Sequence, residues 1–190
     1  MAEESPQKAE KSGWRISYIF VILFSIVVDQ ISKWFVSEMI MRPAQSKGDP
    51  VMLWDWFLDA PDKLSYSEFA ITPFYNIVLV WNYGVSFGLF NNQSDENALL
   101  LSVVAIIIAF FLILWMLDTG SRAVGMALAL AVGGALGNVI DRLRFGAVID
   151  YIDLHYAGHH WPAFNVADMC VVLGISIVIV HALFFEKKPS

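Results

Sequence analysis

The sequence predicts a mainly α integral membrane protein: four transmembrane helices, with a small β-sheet on one side of the bilayer. Three observations predict it. Of 190 residues, 57% are hydrophobic and only 16% charged, and mean hydropathy is +0.59; a soluble domain carries about 25% charged residues. Three long runs lack almost any ionisable side chain. A fourth stretch, between two of the spans, is rich in Val, Ile, Phe, Tyr and Trp but broken by glycine, which favours strand over helix.

The first span is the least regular. Ile16–Val28 is apolar, then Asp29, Gln30 and Lys33 interrupt before Trp34-Phe35-Val36. Its basic flank also suits a cleavable signal peptide, but "DQISKWF" lacks the small-x-small pattern of a cleavage site. The reading is a retained span over about 16–36 with an interrupted outer half. Ala98–Leu117 gives twenty residues without an ionisable group, long enough to cross a hydrocarbon core. Ala123–Ile140 gives eighteen more, and Met169–Phe185 seventeen with only His181 ionisable. Spans two and three, joined through Thr119-Gly120-Ser121, form a tight hairpin. The chain is therefore one membrane domain over 1–190, with spans at about 16–36, 98–117, 123–142 and 168–185. Outer segments fall at about 37–97 and 143–167.

Four crossings put both termini on one side. The short segments there hold Lys8, Lys11, Arg15, Arg122, Lys187 and Lys188, whereas residues 37–97 hold three cations against eight acids. Positive charge marks the cytoplasmic side, so the termini face the cytoplasm. The outer ends of the spans then carry nearly every unusual polar residue: Asp29, Lys33, Asn138, Asp141, Arg142, Asn165 and Asp168. Scattered structural polarity would not sort to one face.

In the first outer segment, Ile71–Phe90 is expected to form short strands on the membrane surface, with Trp54, Trp56 and Trp81 as interfacial anchors. Ser46–Lys63 shows Gly and Pro breaks, no clear period and no assignable element.

Several groups compete for a chemical role. Gly133 and Gly137, at i, i+4, allow close approach of a neighbouring helix. Asn138, Asp141 and Arg142 share a helical side; they either lock the bundle through partners on other helices or serve a site. Asp150 stands among apolar neighbours that would raise its pKa, but Val148/Asp150/Ile152 is also what a strand edge or amphipathic helix shows. Asn165 and Asp168 resemble a helix-capping box, a purely structural role. His155, His159 and His160 raise a zinc alternative, but Gly158 and Pro162 break a helix there and no Glu stands between the histidines; no metal and no cofactor is expected. The single cysteine, Cys170, lies in a span as a packing residue. No G-x-S-x-G turn or phosphate-binding loop is present, so paired carboxylates are the remaining hydrolytic equipment. The net charge of −6 argues against nucleic acid as a partner. An ion-coupled transporter would need acids spread through the membrane's depth, and a purely structural subunit would use the same residues only for packing.

"DQISK" (29–33), "NYGVSF" (82–87), "GNVIDR" (137–142), "GAVIDY" (146–151) and "FNVAD" (164–168) resemble, in order, the blocks of bacterial lipoprotein signal peptidase, signal peptidase II. The likeness runs from about Ser17 to Phe185. It implies an aspartic peptidase of the bacterial inner membrane that removes signal peptides from diacylglyceryl-modified prolipoproteins, before the lipidated cysteine. It also implies a monomer in contact with membrane lipids, with the site near the extracytoplasmic face and a short surface helix, here Leu154–Trp161, beside the β-cradle. By resemblance the catalytic pair is Asp150 and Asp168, supported by Asp29, Lys33, Asn82, Asn138, Asp141, Arg142 and Asn165. The segment Arg42–Thr72 is longer than the resemblance leads one to expect.

Overall fold

A computed structural model describes residues 6–84 and 95–185, with side chains over 13–84 and 96–185. The side chains of Lys8 and Lys11, residues 85–94 with the second half of "NYGVSF", and Lys187 and Lys188 lie outside the described residues.

Among the described residues, four helices are long and apolar enough to cross a membrane. The first, α1 (Pro6–Trp34), continues as a π-helical stretch, Phe35–Met41, and a turn of helix, α2 (Arg42–Ala44). A short helix, α3 (Leu53–Asp59), and strands β1 (Ser67–Thr72) and β2 (Tyr75–Asn82) follow. Then come α4 (Asp95–Asp118), α5 (Arg122–Phe145), β3 (Val148–Tyr156), β4 (His159–His160) and α6 (Val166–Phe184).

The centre of the bundle is α5. In its apolar window 61% of the residues are buried, against 17% in α4 and in α6. Small residues make this possible: Ala127, Ala129, Ala131 and Gly134 let neighbours approach closely. The expected i, i+4 glycine pair faces α1. A Cβ on Gly133 would lie 2.7 Å from Ser25 Cβ, and one on Gly137 would lie 2.7 Å from Asp29 Oδ2. The outward faces of α1 and α4, with Phe20, Leu23, Phe24, Ile107 and Phe111 exposed, suit lipid.

The polar cluster of the first span interrupts its apolar run, as expected, and the helix continues through it. Asp29, Gln30 and Lys33 are buried against α5 and pair there, so the backbone has no reason to break. The segment 42–72, unassignable from sequence, is held by specific contacts. Trp34 Nε1 donates to the Val51 carbonyl at 2.9 Å, and buried Glu38 pairs with Arg42 while accepting the Val51 N–H at 3.0 Å.

The sheet is antiparallel in the order β1-β2-β3-β4. Strands β1 and β2 fall within or beside the stretch expected to be β, and the expectation beyond Gly84 lies outside the described residues. The register pairs Val80 with Asp150 and Asn82 with Val148, across an irregularity between Ile77 and Val80. Beneath the sheet, Val36, Met41, Trp56, Leu64, Leu79, Phe145, Ile149 and Tyr151 form one core.

Two expectations fail here. Leu154–Trp161 is not a surface helix; it is the β3–β4 hairpin, pairing His155 with His160 around Ala157 and Gly158. Both turn residues have positive φ, 50° and 79°, as the mirror-image two-residue hairpin turn requires. The short helix outside the spans is α3 instead. Of the three tryptophans expected at the interface, only Trp54 is exposed. Trp56 is a core residue, and Trp81 packs on Phe145 while donating to the Leu64 carbonyl at 2.8 Å.

Candidate active site

The end of α1, the end of α5, the start of α6 and strands β2 and β3 converge at the sheet end of the bundle. Each brings part of one hydrogen-bonded cluster. β3 delivers Asp150, which is 2% exposed. Asn82 Nδ2, from the end of β2, donates to its Oδ2 at 2.9 Å, and Asn165 Nδ2 donates to its Oδ1 at 2.7 Å.

Asn165 is the N-cap of α6, and the capping box expected from sequence is formed. Its side-chain oxygen accepts the Asp168 N–H at 3.0 Å, and Asp168 Oδ2 accepts the Asn165 N–H at 3.2 Å. The cap does not compete with a chemical role. One asparagine fixes the backbone under Asp168 and the carboxylate of Asp150 together.

On α5, Asn138 Nδ2 donates to Asp168 Oδ1 at 2.8 Å. Its own Oδ1 accepts from Lys33 Nζ at 3.1 Å and from Asn165 Nδ2 at 3.2 Å. The buried ammonium therefore sets which way Asn138 points. Lys33 Nζ also lies 2.7 Å from Asp29 Oδ2 and 2.7 Å from Asp141 Oδ2, all three side chains fully buried. Their remaining oxygens are satisfied: Asp29 Oδ1 takes the Ala167 N–H at 2.9 Å, and Asp141 Oδ1 takes Gln30 Nε2 at 2.8 Å. Such a group is costly to bury, and each of its polar atoms has a partner to offset that cost.

Arg142 lies half-buried beside these carboxylates and donates to the Gly84 carbonyl at 3.3 Å. All nine residues singled out by resemblance are thus in one place. Burial and then the neighbouring Asp168 carboxylate push Asp150 up to about 7, against the opposing pull of Asn82, Lys33 and Asn165.

A cavity of about 940 Å³ opens onto Asn82, Asn138, Arg142, Asp150 and Asp168. Most of the rest of its wall is apolar, including Ala105 of α4, Leu130 and Ala135 of α5, and Val171, Val172 and Leu173 of α6. Helices α4 and α6 both pack on α5 but scarcely touch each other, so this wall opens sideways. Cys170, read as a packing residue, also lines the cavity and is half-buried.

The histidines lie elsewhere on the sheet. His160 Nδ1 sits 2.9 Å from Asp153 Oδ2, His155 Nε2 sits 3.1 Å from Asn76 Oδ1, and the two rings stack at 4.9 Å. Among the described residues no group of three or more His, Cys, Asp or Glu is placed to hold a metal.

Sequence reasoning passed over several partners of the cluster. Gln30 bridges Asp141, Asp29 and the Gly137 carbonyl; the Ile149 N–H donates to Asp141 Oδ2 at 3.2 Å; Tyr151 donates its hydroxyl to Ser32 Oγ at 2.7 Å. For Gln30 a signal existed, since any polar side chain within a span asks for a partner. For the Ile149 backbone none did.

Comparison with known proteins follows the same lines. A family model described as "Signal peptidase (SPase) II" matches residues 21–184. The chain is 34% identical over 171 residues to a lipoprotein signal peptidase of Anaplasma phagocytophilum, covering 89% of this chain and 94% of that one. It is 33% identical over 182 residues to that of Aeromonas hydrophila, covering 95% of each. A solved structure described as a bacterial membrane enzyme superposes with a TM-score of 0.67 at 24% identity, covering 92% of this chain and 94% of that one. The chain shares its overall fold with that solved structure, and it belongs to the signal peptidase II family.

Proposed function

We propose that the protein is an aspartic endopeptidase that removes signal peptides from diacylglyceryl-modified prolipoproteins, with Asp150 and Asp168 as its catalytic pair. The observation that carries this reading is the shared asparagine: Asn165 holds the Asp150 carboxylate and the Asp168 backbone at once, at the mouth of an apolar cavity.

Two neighbouring carboxylates divide one proton between them. Asp150, buried and pushed up to about 7, holds that proton, and Asp168, positioned by Asn138, serves as the base. Asp168 takes a proton from water as the water oxygen bonds to the scissile carbonyl carbon, while Asp150 gives its proton to the carbonyl oxygen. The resulting gem-diol collapses when Asp168 returns its proton to the departing amide nitrogen. The C–N bond breaks, Asp150 regains a proton from one hydroxyl, and a carboxylic acid and an amine leave. Lys33, through Asn138, orients the base; Asp29 and Asp141 keep Lys33 in place; Asn82 and Arg142 line the mouth.

The sideways-opening wall suits a substrate that arrives from the bilayer, its apolar helix and acyl chains never leaving lipid. The charge asymmetry supports termini in the cytoplasm of a bacterial inner membrane and a site near the extracytoplasmic face.

The direct test offers purified protein a precursor with the diacylglyceryl-cysteine beside the same precursor unmodified. The lipidated form is cleaved before the cysteine and the unmodified form is not. Equal cleavage of both would remove the lipid from the account.

A further inference from the structure

Arg144, two residues beyond Arg142, belongs to none of the groups described so far. It is half-buried at the end of α5, and among the described residues no carboxylate pairs with it directly. Its guanidinium lies 4.3 Å from the centre of the Trp56 ring, 4.8 Å from Phe57 and 4.5 Å from Phe145. Its Nη2 donates to the Trp56 carbonyl of α3, its Nη1 donates to Gln30 Oε1 at 3.3 Å, and its buried Nε has no hydrogen-bond partner among the described residues. As a device for packing α3, this is an expensive choice. An apolar side chain would cover the same rings without burying a cation and an unsatisfied N–H.

What an apolar side chain would not do is hold Gln30. The Gln30 amide, anchored at its oxygen by Arg144, donates from its nitrogen to Asp141 Oδ1 at 2.8 Å. Asp141 Oδ2 in turn receives Lys33 and the N–H of Ile149, the residue before Asp150. The planar guanidinium fork spans two acceptors at fixed geometry, which a lysine ammonium does not reproduce.

We infer that Arg144 is a positioning residue: it ties α3 to Gln30 and Asp141, and through the Ile149 N–H fixes the stretch of β3 that carries Asp150. This rests on the aspartic reading above. A one-ångström error at a reacting group is expensive in rate and cheap in stability. Arg144 therefore acts on turnover more than on binding or folding.

The test compares Arg144→Met, Arg144→Lys, Gln30→Ala and the Arg144→Met/Gln30→Ala double variant on the lipidated precursor, well below each variant's Tm. Arg144→Met is expected to lower kcat about tenfold with KM within about twofold, and Arg144→Lys to lower it about threefold. The double variant is expected to be no slower than the slower single one, because both cut the same chain of bonds. Wild-type kcat in Arg144→Met, multiplicative losses in the double variant, or a change in Tm alone would overturn the inference. Should Arg144→Met fail to fold, Arg144→Lys decides: the threefold loss at unchanged KM supports the role and a wild-type kcat refutes it. Asp150→Asn and Asp168→Asn run alongside. If those two cleave normally the aspartic reading itself fails; if they are dead while Arg144 is silent, only this inference does.

Discussion

The Asn165 side chain donates to Asp150 at 2.7 Å with its nitrogen and accepts the Asp168 N–H at 3.0 Å with its oxygen. One residue thus does two separable jobs. Replacing it with alanine removes both the cap and the donor, and is expected to lower stability by about 1 kcal/mol and kcat by roughly a hundredfold. Serine keeps the capping oxygen but supplies no amide for Asp150. Asn165→Ser should recover the Tm of the wild type and little of its kcat, a split that thermal melts and initial rates in detergent would read directly. Parallel recovery of both would mean that the cap is all Asn165 provides.

The buried cation between Asp29 and Asp141 makes the opposite prediction. Lys33→Met leaves two fully buried carboxylates without their partner, which costs about 3–5 kcal/mol. Its main signature is a large fall in Tm. Pairing it with Asp29→Asn, which removes one of the stranded charges, should recover part of the loss. A Lys33→Met melt indistinguishable from wild type would contradict the assignment of Lys33 as the clamp of this cluster.

The pH behaviour follows from Asp150. Its folded-state pKa, raised to about 7, lies above its value in the unfolded chain, so the folded state binds the proton more tightly. That contribution to stability is complete below the ordinary carboxylate range and is lost as pH rises through about 7. Asp150→Asn removes the titrating group. The variant should therefore gain Tm relative to wild type between pH 5 and pH 8, whereas a Tm difference constant across that range would refute the shift. In the wild type, kcat/KM should fall on the alkaline side as Asp150 loses its proton.

How far the sequence alone could reach differs from element to element. The spans were legible because lipid demands long apolar runs, and Gly133 and Gly137 were legible because only glycine fits where Ser25 and Asp29 crowd the helix. The nine polar residues were legible as a set only through their order along the chain; pairwise, Asp141 and Asn165 fitted purely structural roles equally well. What escaped depends on partners far apart in sequence. Val148/Asp150/Ile152 already had the two-residue period of a strand, but the resemblance drew the reading of Leu154–Trp161 towards a helix, and the turn at Ala157 and Gly158 decides otherwise. Trp54, Trp56 and Trp81 looked alike in the sequence, yet Trp56 is buried and Trp81 half-buried because Phe145 and Leu64 come to meet them. Arg144 was invisible because its partner, α3, lies in a segment with no clear period.

The catalytic pair is the centre of the account, and cleavage of a diacylglyceryl-modified precursor by Asp150→Asn and Asp168→Asn tests it most directly. Asparagine is nearly isosteric with aspartate, so both variants should insert and fold as the wild type does. Each should lose at least about a thousandfold in kcat/KM, since neither can move the proton its partner needs. Near-normal processing by either purified variant would contradict the assignment of the dyad.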